Sequence, residues 1–195
     1  MSFMSVISIL FTAVISQNIV LSRTLGICPY LGVSKKISSA TGMGCAVLFV
    51  LAISSIFCWG IYNLVLVPLD ITYLNTMAFI LVIASLVQLI EIVIKKVSPT
   101  LHSALGVYLP LITTNCAILG GVNTTVISNS VSFLETFITC VGTGLGFLLA
   151  IVILACVRVK ADNVPAPKAF KGFPLTLISA GIIALAFAGF AGVLA

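Results

Sequence analysis

Apolar runs alternate along this chain with short polar or breaker-rich segments, on a scale set by a bilayer rather than by a globule. Phe3 to Ser22 is uncharged and predicts a first spanning segment. Arg23 and a run holding Gly26, Pro29 and Gly32 follow, ending at Lys35-Lys36. A straight helix from Phe3 to Gly32 would be about 45 Å long, more than a hydrocarbon core of roughly 30 Å requires. Pro29 between two glycines therefore predicts a broken helix. Ile37 to Leu69 holds the second segment, with Pro68-Leu69-Asp70 as its turn, and Ile71 to Ile90 is the third, closed by Glu91 and Lys95-Lys96. Val97 to Gly121 is the fourth, with His102 at its interfacial start and Pro110 before a second breaker-rich stretch. Asn123 to Ser130 is polar and predicts a loop. Val131 to Val157 is the fifth segment, with Glu135 near its start, and Gly172 to Ala195 the sixth. Between those two lies the charged, proline-containing connection Arg158 to Lys171. The pattern predicts an all-α membrane protein of six transmembrane helices, a single integral membrane domain over residues 1–195.

Composition agrees. With 61% hydrophobic and 7% charged residues, and a mean hydropathy of +1.34, the chain lies far from soluble domains, which average about 25% charged residues. The first stretch reads as a span rather than a signal peptide, since no basic region precedes it and no small-x-small cleavage site follows. A net charge of +5 without a basic cluster or interleaved aromatics does not predict nucleic-acid binding. Topology explains the charge better. All nine basic residues follow odd-numbered segments and none follows an even one. The positive-inside rule then predicts those loops in the cytoplasm and both termini outside the inner (cytoplasmic) membrane.

One short pattern occurs twice. Cys28-Pro29-Tyr30-Leu31-Gly32 reappears as Cys116-Ala117-Ile118-Leu119-Gly120, and superposing the two cysteines shifts the chain by close to half its length. That is the signature of an internal duplication, with repeats at approximately 1–94 and 95–195. Each repeat holds three spans, an odd number, so the second is inserted upside down relative to the first. The expectation is two inverted three-helix repeats with broken first helices, whose Cys28 and Cys116 approach a common depth near the midplane.

Irregular backbone at membrane depth survives only where protein buries it or where it lines a cavity. A cysteine at each break can pack, form half of a disulfide or ligate a metal. Iron ligation is a natural way to keep two thiolates at that depth, yet an iron–sulfur cluster usually takes about four, so a homologous partner would have to supply a second pair. Cys45, Cys58, Cys140 and Cys156 lie in long apolar segments without adjacent proline and read as packing residues. Gly142, Gly144 and Gly146 follow no strand, which excludes a nucleotide loop and predicts close helix contact. Thr113, Thr114 and Asn115 offer oxygens for a desolvated Na⁺ or, alternatively, satisfy the broken backbone. Glu91 is an acidic residue near useful depth, with Lys95 one turn on as a competing ion-pair partner. Together with Thr113, Thr114 and Asn115 it forms a candidate ion path. A secondary transporter would use the same breaks without needing cysteine at both, and a scaffold for redox subunits is a third reading.

Leu25-Gly26-x-Cys28-Pro29 running into Gly32-Val33-Ser34-Lys35-Lys36, and Leu109-Pro110-Leu111-Ile112-Thr113-Thr114-Asn115-Cys116-Ala117, resemble the Rnf–Nqr family of membrane electron-transport subunits. The resemblance covers the whole chain, including Asp162-Asn163-Val164-Pro165-Ala166-Pro167. Cys28-Pro29 with Thr114-Asn115 points to the A-subunit of Rnf rather than to the E-subunit of the Na⁺-translocating NADH:quinone reductase. The resemblance implies a six-helix inverted-repeat protein paired with a homologue of opposite topology, the E-subunit of Rnf. It implies an intramembrane [2Fe-2S] cluster ligated by two cysteines from each, here Cys28 and Cys116. Other Rnf subunits would carry the flavins and further iron–sulfur clusters of a translocase moving electrons between ferredoxin and NAD⁺, coupled to Na⁺ or H⁺. No residue of this chain alone is expected to be catalytic.

Overall fold

The computed structural model describes residues 3–70, 72–97, 109–128, 132–161, 167 and 170–190. His102, the run from Asp162 to Ala166, Lys168 and both chain ends fall outside them. All regular structure among the described residues is helical: α1 (Phe3–Phe11), α2 (Ile27–Val33), α3 (Ile37–Ile61), α4 (Asn75–Val97), α5 (Leu109–Thr113), α6 (Cys116–Ser128), α7 (Phe133–Ala161) and α8 (Phe173–Ala188). A π-helical turn, Thr12–Ser16, extends α1 and another, Tyr62–Leu66, extends α3.

Three helical stretches, Ile37–Leu66, Asn75–Ile92 and Phe133–Ala161, are long and apolar enough to cross a membrane. Met4–Ser16, Leu111–Ile127 and Phe173–Ala188 are shorter apolar helices. Large apolar side chains remain exposed along α4 (Met77, Leu81, Ile92) and α8 (Ile182, Leu185). Water would penalise such faces heavily, whereas lipid solvates them. The protein is a multi-pass, all-helical membrane protein.

The centre is the antiparallel pair α3–α7. A Cβ on Gly44 would stand 3.1 Å from the Cα of Leu148, and one on Gly144 would stand 3.0 Å from the Cα of Leu48. Farther along, Trp59 meets Phe133 edge-on, with ring centroids 5.1 Å apart. Advancing along α3 thus means retreating along α7. Without a hydrophobic drive between helices in lipid, this close backbone approach is what gains dispersion energy. The neighbouring Gly142 and Gly146 serve the other side: their Cβ positions lie 2.9 Å from the Ala13 Cβ and 3.1 Å from the Asn18 Nδ2. The glycine run therefore wedges α7 between α3 and the first helix with its π turn, the close helix contact that its spacing predicted.

Several expected boundaries move. The first segment stops being α-helical at Phe11 and, after the π turn, leaves helix altogether at Gln17. The expected loop from Asn123 to Ser130 is helical as far as Ser128, because Thr124 and Thr125 turn their hydroxyls back onto the carbonyls of Gly120 and Gly121 and so satisfy themselves within α6.

Candidate functional site: two helix breaks in contact

The first break runs from Gln17 to Gly26 and is built on Asn18, which is fully buried. Its Nδ2 donates to the carbonyls of Val14 at 3.0 Å and Gly146 at 2.8 Å. Its Oδ1 accepts the backbone N–H groups of Val20 at 3.1 Å and Leu21 at 3.4 Å. One side chain thus satisfies backbone freed by the end of the helix and fastens it to α7, as non-helical backbone at this depth requires. Asn18 is a site residue that the motifs did not single out. The signal it offered was an amide in an otherwise apolar run.

The chain re-enters helix at Gly26, whose φ of 81° caps α2 in the left-handed region open to glycine. Pro29 does not make the break. It sits third in α2, within the first turn, where its missing N–H has no intrahelical acceptor to disappoint. Cys28 precedes it and is exposed.

The second break is two residues long, Thr114-Asn115, between α5 and α6. Asn115 is buried, and its Oδ1 accepts the N–H of Ala117 at 3.0 Å. Its backbone carbonyl accepts from Ile118 at 3.1 Å and Leu119 at 3.3 Å. An asparagine side chain two residues back from an accepted N–H thus serves at both breaks, Asn18 to Val20 and Asn115 to Ala117. Cys116 is the first residue of α6 and is exposed.

The two breaks touch. A Cβ on Gly26 would lie 2.8 Å from the Ala117 Cβ, 3.1 Å from the Asn115 Oδ1 and 3.1 Å from the Phe147 ring. Leu25 packs onto Gly120 in the same contact, its Cδ1 occupying the place a side chain there would need. The two cysteine motifs are therefore packed against each other, while Cys28 and Cys116 themselves remain exposed at the edge of the contact. Cys116 opens a 13-residue helix, where the helix dipole favours negative charge, although Asn115 already takes up the N–H groups of Ala117, Ile118 and Leu119. The Nδ2 of Asn115, one residue away, is buried without a hydrogen-bond partner. These features suit an anionic sulfur group at the outer edge of the break. The set is incomplete, since among the described residues no three His, Cys, Asp or Glu side chains come together to hold a metal. Two cysteines are at most half of the roughly four thiolates that an iron–sulfur cluster takes.

Thr113 ends α5 and is half-buried, whereas Thr114 in the break is exposed. Glu91 is half-buried on α4, the helix packed against α5 and α6. The other cysteines divide: Cys58 and Cys140 are buried, the latter 3.0 Å from Thr125 Oγ1, and Cys45 and Cys156 are exposed on the long helices.

Two arginines occupy unexpected places. Arg23 lies inside the first break rather than in a loop after it, with Nη1 3.1 Å from the Thr124 hydroxyl on α6. It therefore drops out of the count of loop charges. Arg158 is buried near the end of α7, and its Nη1 donates to the Leu31 carbonyl at 3.0 Å and to the Ser34 hydroxyl at 3.1 Å. A cation there meets the negative end of α2 and holds the half-helix that carries Cys28 against the central pair. It also puts the basic end of α7 on the same side as Lys35 and Lys36.

Fold and site together define a polytopic helical membrane protein with two interrupted helices meeting at paired cysteine motifs. The family described as "Rnf-Nqr subunit, membrane protein" matches residues 6–194, and the chain belongs to it. It is 53% identical to the A-subunit of the Na(+)-translocating ferredoxin:NAD(+) oxidoreductase complex of Acetobacterium woodii, over 97% of this chain and 98% of that relative. It is 50% identical to the A-subunit of the ion-translocating oxidoreductase complex of Syntrophotalea carbinolica, over 94% and 95% of the two chains. It is 45% identical to the protein of the same description from Rhodobacter capsulatus, again over 94% and 95%.

Proposed function

We propose that this protein is the A-subunit of an ion-translocating ferredoxin:NAD⁺ oxidoreductase, in which Cys28 and Cys116 supply two of four thiolates to a [2Fe-2S] cluster shared with a homologous partner. The observation that carries this reading is the contact of the two motifs at Gly26, Asn115 and Ala117, with both cysteines exposed at its edge. Cys58 and Cys140 are buried in the helical core, and the exposed Cys45 and Cys156 lie within the long helices rather than at a break. When bound, such a cluster supplies one-electron transfer. The chain's own part is to fix the two sulfurs, through Asn18 and Asn115 at the breaks and Arg158 behind α2, and to keep water from the buried backbone. The reciprocal packing of Gly44 on Leu148 and Gly144 on Leu48 supports two inverted halves. The name of the Acetobacterium relative favours Na⁺ as the coupled ion, with H⁺ as the alternative, and Glu91 with Thr113, Thr114 and Asn115 is the candidate path. The E-subunit would be the homologous partner, and other members of the complex would hold the flavins and further clusters.

Purified alone, the protein should carry little iron. Co-expression with the oppositely oriented homologue should restore about one cluster per pair, read by iron analysis and electron paramagnetic resonance. A full [2Fe-2S] signal from the isolated chain would sink the shared-ligand reading.

Orientation follows from the same picture, in the cytoplasmic membrane. Single cysteines introduced at Lys36 and Lys96 should react only with reagent on the cytoplasmic side, and one at Asp70 only with reagent outside. Labelling of Lys36→Cys and Asp70→Cys from one and the same side would overturn it.

A further inference from the structure

Arg23 is a cation within the first helix break, and no carboxylate pairs with it among the described residues. Its side chain is exposed and reaches across to the Thr124 hydroxyl on α6. It lines a cavity of about 220 Å³ together with Gln17, Thr124, Thr125, Thr139 and Thr143. The four threonines all donate to carbonyls of their own helices: Thr124 to Gly120 at 2.7 Å, Thr125 to Gly121, Thr139 to Glu135 at 2.8 Å and Thr143 to Thr139 at 2.8 Å. Their hydrogens are spent inward, so the oxygens offer only lone pairs to a guest. Arg23 offers the opposite, with five guanidinium N–H donors of which Thr124 takes one. A space walled by acceptors and a multiple donor is satisfied by water, and this one has room for several molecules at about 30 Å³ each.

Hydroxyl lone pairs alone would suit a small cation. The guanidinium among them reverses that preference, because in a cavity with low-dielectric walls one fixed charge sets the local potential. We infer that this cavity is a hydrated vestibule and that Arg23 sets its charge selectivity, barring cations while the guanidinium rests on Thr124. A cation crossing this half of the protein would then need Arg23 to swing off Thr124 first, a motion that would also disturb the break next to Gly26 and Cys28. The cavity lies toward the Phe133 end of α7, away from the end that bears Arg158 and Lys160. It would therefore be reached from the face opposite those charges. The inference rests on the ion-translocating part of the proposed function and not on the iron ligands.

Thr139→Cys in the assembled complex tests it, with small hydrophilic thiosulfonate reagents of opposite charge and modification read at that residue by peptide mass spectrometry. With Arg23 present, and with each rate divided by that reagent's rate with a free small thiol, the anionic reagent should react about tenfold faster than the cationic one. Arg23→Lys should keep that preference and Arg23→Gln should abolish it. No reaction with either reagent would overturn the hydrated vestibule, and equal rates with Arg23 in place would overturn the charge gate. The Arg23-intact ratio decides even where Arg23→Gln fails to assemble. Iron in the same preparations is measured separately, so failure of the cluster reading leaves the reagent ratio standing.

Discussion

Cys28→Ser and Cys116→Ser should each remove the cluster signal from the assembled complex and abolish ferredoxin–NAD⁺ electron flow, while leaving the protein in the membrane. The expected loss is all-or-none for iron, because a hydroxyl is a far poorer ligand than a thiolate and each cysteine is one of only two that the chain brings to the edge of the contact. Insertion should survive, since both side chains are exposed and neither fills the core. The control is internal. Cys45 is also exposed, on α3, and Cys140 is buried against Thr125. Cys45→Ser should be silent, and Cys140→Ser should cost at most about 1 kcal/mol, because the new hydroxyl can bond within its helix or to Thr125. Iron content and electron paramagnetic resonance, normalised to assembled complex, separate the two classes. Wild-type spectra from Cys28→Ser would return the cysteines to packing and revive the transporter reading.

Gly26→Ala should do nearly as much damage without touching a ligand. A side chain at φ 81° costs about 1–2 kcal/mol on backbone grounds. The new methyl would also stand 2.8 Å from Ala117 Cβ and 3.1 Å from Asn115 Oδ1, and overpacking of this kind adds about 1–3 kcal/mol. Neither contact is the far end of a flexible chain, so relief means parting the two breaks. Reduced yield of the assembled complex, with a weakened or broadened cluster signal in what remains, is the expected result. Gly32→Ala is the matched control: its Cβ meets nothing within 4 Å and Gly32 lies within α2. Equal behaviour of the two variants would show that the contact between the motifs does not matter.

Of the fold, the helical, multi-pass character was legible in the chain itself. In lipid the backbone can satisfy its hydrogen bonds only in a helix or a closed barrel, and continuous apolar runs of bilayer length, rather than short alternating ones, select helix. The glycine run was legible as helix contact for a similar reason. The recurrence of Cys-x-x-Leu-Gly picked out the two stretches that lie against each other. Tertiary structure decided where each helix stops, because that depends on which distant group takes up the freed backbone. Asn18 ends the first helix through the carbonyl of Gly146, far along the chain, and so Pro29, the nearest breaker in sequence, became part of a helix instead. Tertiary structure likewise decided the fate of the charges. Arg23 and Arg158 read in the chain as two more basic residues beside spanning segments, but the fold placed one over the hydroxyls of a polar cavity and the other on the carbonyl end of α2. A charge near a membrane segment acquires its role from the dipoles it meets, and those are assembled only when the breaks pack together.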